Sequence, residues 1–186
     1  MNLITEFEDS PLLKLVYRNM GFFLDNTIRR WLNDPVKTLE AAGIRSGMDV
    51  LEVGCGSGYF TVPAAEMIGD EGCVHAFDVH PLAVEQTAER IRSAGLRNVR
   101  LTKTDALGTG LPCESYDMIL LFGVVPAPVL PLDKLLPEMH RLLRPGGSMA
   151  VWTGLPLWSP RAITRGGLFT HFGKRNGVHI FTRNGI

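Results

Sequence analysis

The run Val50-Leu51-Glu52-Val53-Gly54-Cys55-Gly56-Ser57-Gly58-Tyr59-Phe60-Thr61 constrains this chain more than any other stretch. It reads as a buried strand with an acid near its end, a Gly-x-Gly-x-Gly turn and the start of a helix. Three glycines in five positions remove the Cβ atoms where a ligand's polar tail must touch backbone. The following helix aims its free N–H groups and the positive end of its dipole into the same space, which suits a carboxylate or phosphate. A strand, glycine turn and helix in this order form a nucleotide-binding corner, and such a corner belongs to an α/β sheet.

Composition is consistent with one globular domain: 186 residues, 45% of them hydrophobic, are enough for a sizeable core. Lys plus Arg and Asp plus Glu number 19 each, for a net charge of zero. No long-range field draws polyanions, so nucleic acid is disfavoured as a partner. No apolar run reaches the length of a membrane span. The first nine residues lack the basic and apolar stretches of a signal peptide, so a cytoplasmic location is expected. Cys55, Cys73 and Cys113 are odd in number and widely spaced, which offers neither a disulfide framework nor a zinc pattern.

Along the chain, Pro11–Met20 and Gly21–Leu32 carry apolar residues at helical spacing, and Asp34-Pro35 opens a further short helix over Val36–Ala42. Residues 1–46 therefore read as a helical appendage and residues 47–186 as the binding domain. Strands are expected at Asp49–Val53, Gly72–Asp78, Asn98–Thr102, Tyr116–Phe122 and Ser148–Thr153. Helices are expected at Tyr59–Ile68, Pro81–Ala94 and Leu132–Leu143, the last stopped by Arg144-Pro145-Gly146-Gly147. Ser159–Arg165 suits a short helix. Gly167–Lys174 and Val178–Arg183, joined through Asn176-Gly177, suit an antiparallel hairpin. The fold class is α/β, a doubly wound, mostly parallel sheet covered on both faces and ending in that hairpin.

Three acids close three successive strands: Glu52, Asp78 and Asp105. All fall at the carboxyl edge of the sheet, where open α/β folds bind ligands. Asp78 suits the two hydroxyls of a ribose, a role that outweighs capping the helix at Pro81. Asp105, with the backbone of Ala106, suits the edge of an adenine.

Taken in order, Glu52-Val53-Gly54-Cys55-Gly56-Ser57-Gly58, Phe77-Asp78, Asp105-Ala106, Ser115-Tyr116-Asp117 and Leu143-Arg144-Pro145-Gly146-Gly147 resemble the motifs of class I S-adenosylmethionine-dependent methyltransferases, over about Gly47 to Thr153. The resemblance implies a Rossmann-like, three-layer α/β/α fold with seven strands, the last inserted antiparallel, and S-adenosyl-L-methionine as cofactor. It implies that Gly54, Gly56 and Gly58 admit the methionine part, and that Glu52 orders the loop or receives the ammonium. Asp78 would hold the ribose, Val79 the adenine face, and Asp105 and Ala106 the adenine edge. Phe122-Gly123 would lie under the sulfonium, with Cys55 a small filler in the loop. A dehydrogenase fits less well, because the third glycine comes one residue early for G-x-G-x-x-G and fewer than 35 residues follow the fifth strand. A Walker loop is excluded by the missing Gly-Lys-Ser/Thr.

The acceptor is less legible. Phe122-Gly123-Val124-Val125-Pro126-Ala127-Pro128 carries no His, Asp or Asn, so no catalytic base is assigned and a small, partly apolar acceptor is expected. The alternatives are a cofactor-binding but catalytically silent partner protein, or a methyltransferase acting on protein or RNA. A homodimer is compatible with the chain. No metal site is expected. Of the histidines, His80 suits a helix start, His75 and His140 structural or exposed positions, and His171 and His179 a facing pair at the surface. Tyr17, Phe22, Phe23 and Trp31 serve either as a lid or, more in keeping with their spacing, as packing.

Overall fold

The computed structural model describes residues 34–125, 130–153 and 158–185. The expected N-terminal helices, Tyr17, Phe22, Phe23, Trp31 and the Pro126-Ala127-Pro128 run lie outside these residues. In chain order the elements are α1 Pro35–Ala42, β1 Asp49–Val53, α2 Thr61–Ile68, β2 Cys73–Asp78, α3 Pro81–Ser93, β3 Val99–Lys103 and β4 Tyr116–Phe122. They continue with α4 Leu132–Leu142, β5 Leu143–Trp152, α5 Arg161–Thr164, β6 Phe169–Arg175 and β7 Val178–Arg183.

The seven strands form one sheet in the order β3-β2-β1-β4-β5-β7-β6. β1 to β5 pair in parallel, while β7 enters antiparallel between β5 and β6. The chain runs outward from β1 through β2 to β3, then returns to place β4 on the other side of β1. That reversal opens the crevice between the ends of β1 and β4.

Alternation along the strands divides the core into two layers. Leu51, Val53, Ile119, Leu121, Met149 and Val151 face α4 and α5, meeting Leu135, Met139, Leu142 and Ile163. Val50, Val74, Ala76, Met118, Leu120 and Ala150 face the other way, onto Leu39 of α1 and Ala64, Ala65 and Ile68 of α2. β1 and β4 are therefore apolar at nearly every position, as strands covered on both faces must be.

Local chemistry sets the helix ends. Asp34 accepts from the Val36 and Lys37 amides at the start of α1, with Pro35 in the first turn and Gly43 closing the helix at φ 93°. The hairpin turn places Asn176 and Gly177 at φ 44° and 81°, the left-handed pair that a tight two-residue connection requires.

Most boundaries lie within two residues of expectation, and one differs by more. β5 begins at Leu143, not at Ser148, because Leu143 pairs with Tyr116 before the ladder resumes at Met118–Ser148. The Arg144–Gly147 run is an irregularity within the strand, where Gly146 takes φ 78°. Arg144 fastens that run to the start of β1, its guanidinium 2.8 Å from Asp49 and 2.7 Å from Asp117. The sequence also understated the exposure of β3, an edge strand on which Arg100, Thr102 and Lys103 face water.

Candidate cofactor site at the carboxyl edge of the sheet

The turn after β1 is held by β2. The amides of Gly54 and Cys55 both donate to the Phe77 carbonyl, at 2.9 and 3.0 Å. The Gly56 amide donates to Asp78 Oδ2 at 3.0 Å, and the His80 amide to Asp78 Oδ1 at 2.9 Å. Asp78 thus clamps the glycine turn to the end of β2. It does not cap α3; that task falls to His80, whose Nδ1 accepts from the Leu82 amide at 3.2 Å.

Gly54, Gly56 and Gly58 have φ of 74°, 55° and 79°, left-handed values that disfavour any side chain. Gly54 is further constrained by its neighbour, since a Cβ there would lie 2.5 Å from Cγ1 of Val124 in the loop after β4. At Gly58 the Cβ would press on Thr87 of α3 at 3.2 Å. The Thr87 hydroxyl donates to the Gly56 carbonyl at 3.0 Å, so α3 fixes the turn from its far side.

Glu52, in β1, is 3% exposed and accepts a short hydrogen bond from the Thr61 hydroxyl in the first turn of α2. Burial pushes its carboxyl up to about 8; the Thr61 bond works against that shift and the nearby Asp78 charge adds to it. Burial also raises the Asp78 carboxyl, opposed by the amides it accepts from. The Cys55 thiol is buried and held well above the usual thiol range, chiefly by desolvation and next by Glu52. It is a packed filler, not a nucleophile.

β3 and β4 complete the edge. The Thr104 amide donates to the Asp78 carbonyl at 3.2 Å, placing the turn after β3 beside the end of β2. Asp105 accepts from the Leu107 amide at 3.0 Å, Ala106 is buried and Val79 is half-buried. The Phe122 ring turns into the core and meets Phe60 edge-on, with centroids 4.9 Å apart, so backbone at Phe122-Gly123 borders the crevice. All the sequence-expected residues therefore gather at one edge.

Sequence reasoning missed Thr61, Thr87 and Val124. Thr61 had a signal: a buried acid needs a donor, and the first turn of the next helix is the nearest place for one. Thr87 follows the buried Ala83 by one helical turn, which marks it as inward-facing but not as a loop anchor. Nothing in the sequence pairs Val124 with Gly54.

The other histidines lie elsewhere. His75 bonds Tyr116 and Thr102, and His140 bonds the Asn184 carbonyl. His171 and His179 do face each other, at 3.1 Å. His179 is nevertheless buried, not a surface residue, because the rings of Trp158 and Phe181 pack around it. Among the described residues, no group of three or more His, Cys, Asp or Glu side chains is arranged to hold a metal. No helix among them is long and apolar enough to cross a membrane.

The donor set bears on what fits the crevice. Two buried carboxyls, Glu52 and Asp78, border a turn with glycine at three of its five positions, and no described cation forms an ion pair with Glu52. A ligand carrying both a cationic group and vicinal hydroxyls matches that arrangement, as S-adenosylmethionine does.

Comparison with known proteins agrees. The profile of a family described as a methyltransferase domain matches residues 50–147, more than half of the chain. The aklanonic acid methyltransferase DauC of Streptomyces sp. is 40% identical over 75 residues, 40% of this chain and 34% of that protein. A demethylmenaquinone methyltransferase of Listeria welshimeri is 31% identical over 122 residues, 65% of this chain and 50% of that protein. The chain thus spans about a third to a half of the length of these curated relatives. A crystal structure of a SAM-dependent methyltransferase from Aquifex aeolicus superposes with a TM-score of 0.76 at 25% identity, over 89% of this chain and 96% of that one.

Proposed function

This chain belongs to the methyltransferase-domain family, and from that premise we propose that it transfers a methyl group from S-adenosylmethionine to a small, partly apolar acceptor. The observation that carries the reading is the glycine turn clamped by Asp78 above the buried Glu52. That pair of carboxyls beside a glycine-rich turn suits a cationic nucleoside. The names of DauC and the Listeria relative specify small organic acceptors, which supports a small molecule over a protein or RNA.

When bound, the cofactor supplies an electrophilic sulfonium methyl. The chain's own contribution is binding, alignment and exclusion of water. Asp78 would hold the ribose hydroxyls, Val79 the adenine face, Asp105 and Ala106 the adenine edge, and Glu52 the α-ammonium. Gly54 and Gly56 would set the course of the turn's backbone beside the methionine part, Gly54 also making room for Val124. The described start of the acceptor loop is apolar, with Val125 buried and Val124 half-buried. Alignment of an acceptor lone pair with the methyl is worth roughly 7–11 kcal/mol of barrier, and we assign no general base. We take residues 1–46 as a cap on this domain, which residues 47–186 form; α1, its described part, packs on α2 and β7.

The experiment is methyl transfer from labelled S-adenosylmethionine to a panel containing aklanonic acid, a demethylmenaquinol and total protein and RNA. The reading expects label in the small-molecule fraction. Label confined to protein or RNA, or cofactor binding without transfer to any of them, contradicts it.

A further inference from the structure

Glu52 stands out among the buried groups of the site. Its backbone neighbours across the sheet are Ala76 of β2 and Leu120 of β4, both with 0% exposure. The residues beside it in the strand, Leu51 and Val53, are buried as well. From α2 it receives one hydrogen bond, from the uncharged Thr61 hydroxyl. Among the described residues, the titratable groups that act on it or stand next to its neighbours are Asp78, Cys55 and His80. Asp78 repels a second negative charge, Cys55 is held as a neutral thiol, and His80 interacts with Asp78. A carboxylate taken out of water without a cation takes up a proton instead.

We propose that Glu52 exchanges a proton for the cofactor's α-ammonium, so that the carboxyl is neutral in the free protein and ionised in the complex. The inference rests on S-adenosylmethionine occupying this crevice. Burial, which pushes the carboxyl up to about 8, places the exchange within the physiological range. Among the described residues no cation pairs with Glu52, and the ammonium would supply that counter-charge: once it arrives, the ionised carboxylate has a cation in a low-dielectric site and the proton leaves to solvent. Nothing is oxidised or reduced; one proton departs and one ion pair forms. The empty site avoids a second buried negative charge beside Asp78, and the occupied site gains a cation-specific contact. Affinity for the cofactor accordingly rises with pH until Glu52 is ionised in the free protein too.

The test is calorimetric titration of the full chain with S-adenosylhomocysteine, which carries the same α-ammonium, in buffers of different ionisation enthalpy. About one proton is expected to be released per ligand bound at pH 7, and affinity is expected to improve by about tenfold from pH 6 to pH 7. Glu52→Gln, an isosteric mimic of the protonated acid, is expected to abolish the release and flatten the pH dependence. Its melting temperature without ligand should exceed that of the natural chain at pH 8. Thr61→Val removes the one donor among the described residues that favours the ionised form and should weaken binding at pH 7 while keeping the proton release. Binding of the natural chain without proton release, or release that persists in Glu52→Gln, overturns the proposal and leaves the cofactor reading standing. No binding at any pH sinks both.

Discussion

Gly54 combines two demands in one residue: a left-handed backbone at φ 74° and a Val124 methyl where its Cβ would be. Gly54→Ala is expected to cost about 2–4 kcal/mol, from the disfavoured conformation and the overpacking together. Gly108, which has open space around its Cβ position, provides the control; Gly108→Ala should stay within about 0.5 kcal/mol in urea denaturation. Asp78→Ala removes the acceptor for two amides, each such bond worth about 1–3 kcal/mol when charge-assisted. The variant should fold, with cofactor affinity reduced at least a hundredfold by calorimetry. Glu52, Asp78 and the glycines were legible in the sequence because acids at strand ends and glycines in a turn are local patterns. Thr87 and Val124 were not, because their roles depend on which distant segment the fold brings against the turn.

Among the elements, α4 is joined to the segment before β4 by a small polar network. Glu138 accepts from Arg141 at 2.7 and 2.8 Å and from both the amide and hydroxyl of Thr109, while Arg141 reaches the Leu111 carbonyl. The Arg141 hydrogen bonds hold the Glu138 carboxyl down at about 2. A carboxyl lower in the folded than in the unfolded chain stabilises the fold above its unfolded value, near 4.5, and loses that contribution as pH falls toward 2. Glu138→Gln should therefore cost about 1–2 kcal/mol at pH 7, discounted because Arg141 is about one-third exposed (35%). The difference from the natural chain should shrink at pH 3; an equal cost at both pH values would contradict the assignment. At this scale the sequence read β4 and β7 to the residue, since apolar runs and an Asn-Gly turn mark their own limits. It misplaced the start of β5 because Arg-Pro-Gly-Gly reads as a break, whereas pairing between Leu143 and Tyr116 carries the strand through it.

For the whole molecule, the two unusual carboxyls act in opposite directions. Glu52, higher in the folded chain than unfolded, favours the fold at low pH and withdraws that support as pH rises from about 4.5 to about 8. Glu138 acts at the acid end. The free protein should therefore lose stability by a few kcal/mol between pH 5 and pH 8, and Glu52→Gln should flatten that slope in thermal melts. A slope of the same size in the variant would show that another group carries it. The sheet order, with β7 inserted between β5 and β6, followed from the resemblance and not from periodicity, because register between distant strands leaves no local trace. Function divides along the same line. The donor side is built from contiguous motifs, while the acceptor side depends on loops whose apolar residues state a preference and no chemistry.

The central claim is that the crevice between β1 and β4 takes S-adenosylmethionine. Thermal shift with S-adenosylmethionine, S-adenosylhomocysteine, NAD and ATP, each alone, tests it most directly. At a hundred times its dissociation constant a ligand adds about 2.7 kcal/mol, or roughly 5–10 °C for a chain of this size. Both sulfur nucleosides are expected to raise the melting temperature of the natural chain by that amount and to leave Asp78→Ala unmoved, with NAD and ATP silent. Stabilisation by NAD with no response to either sulfur nucleoside would contradict the account.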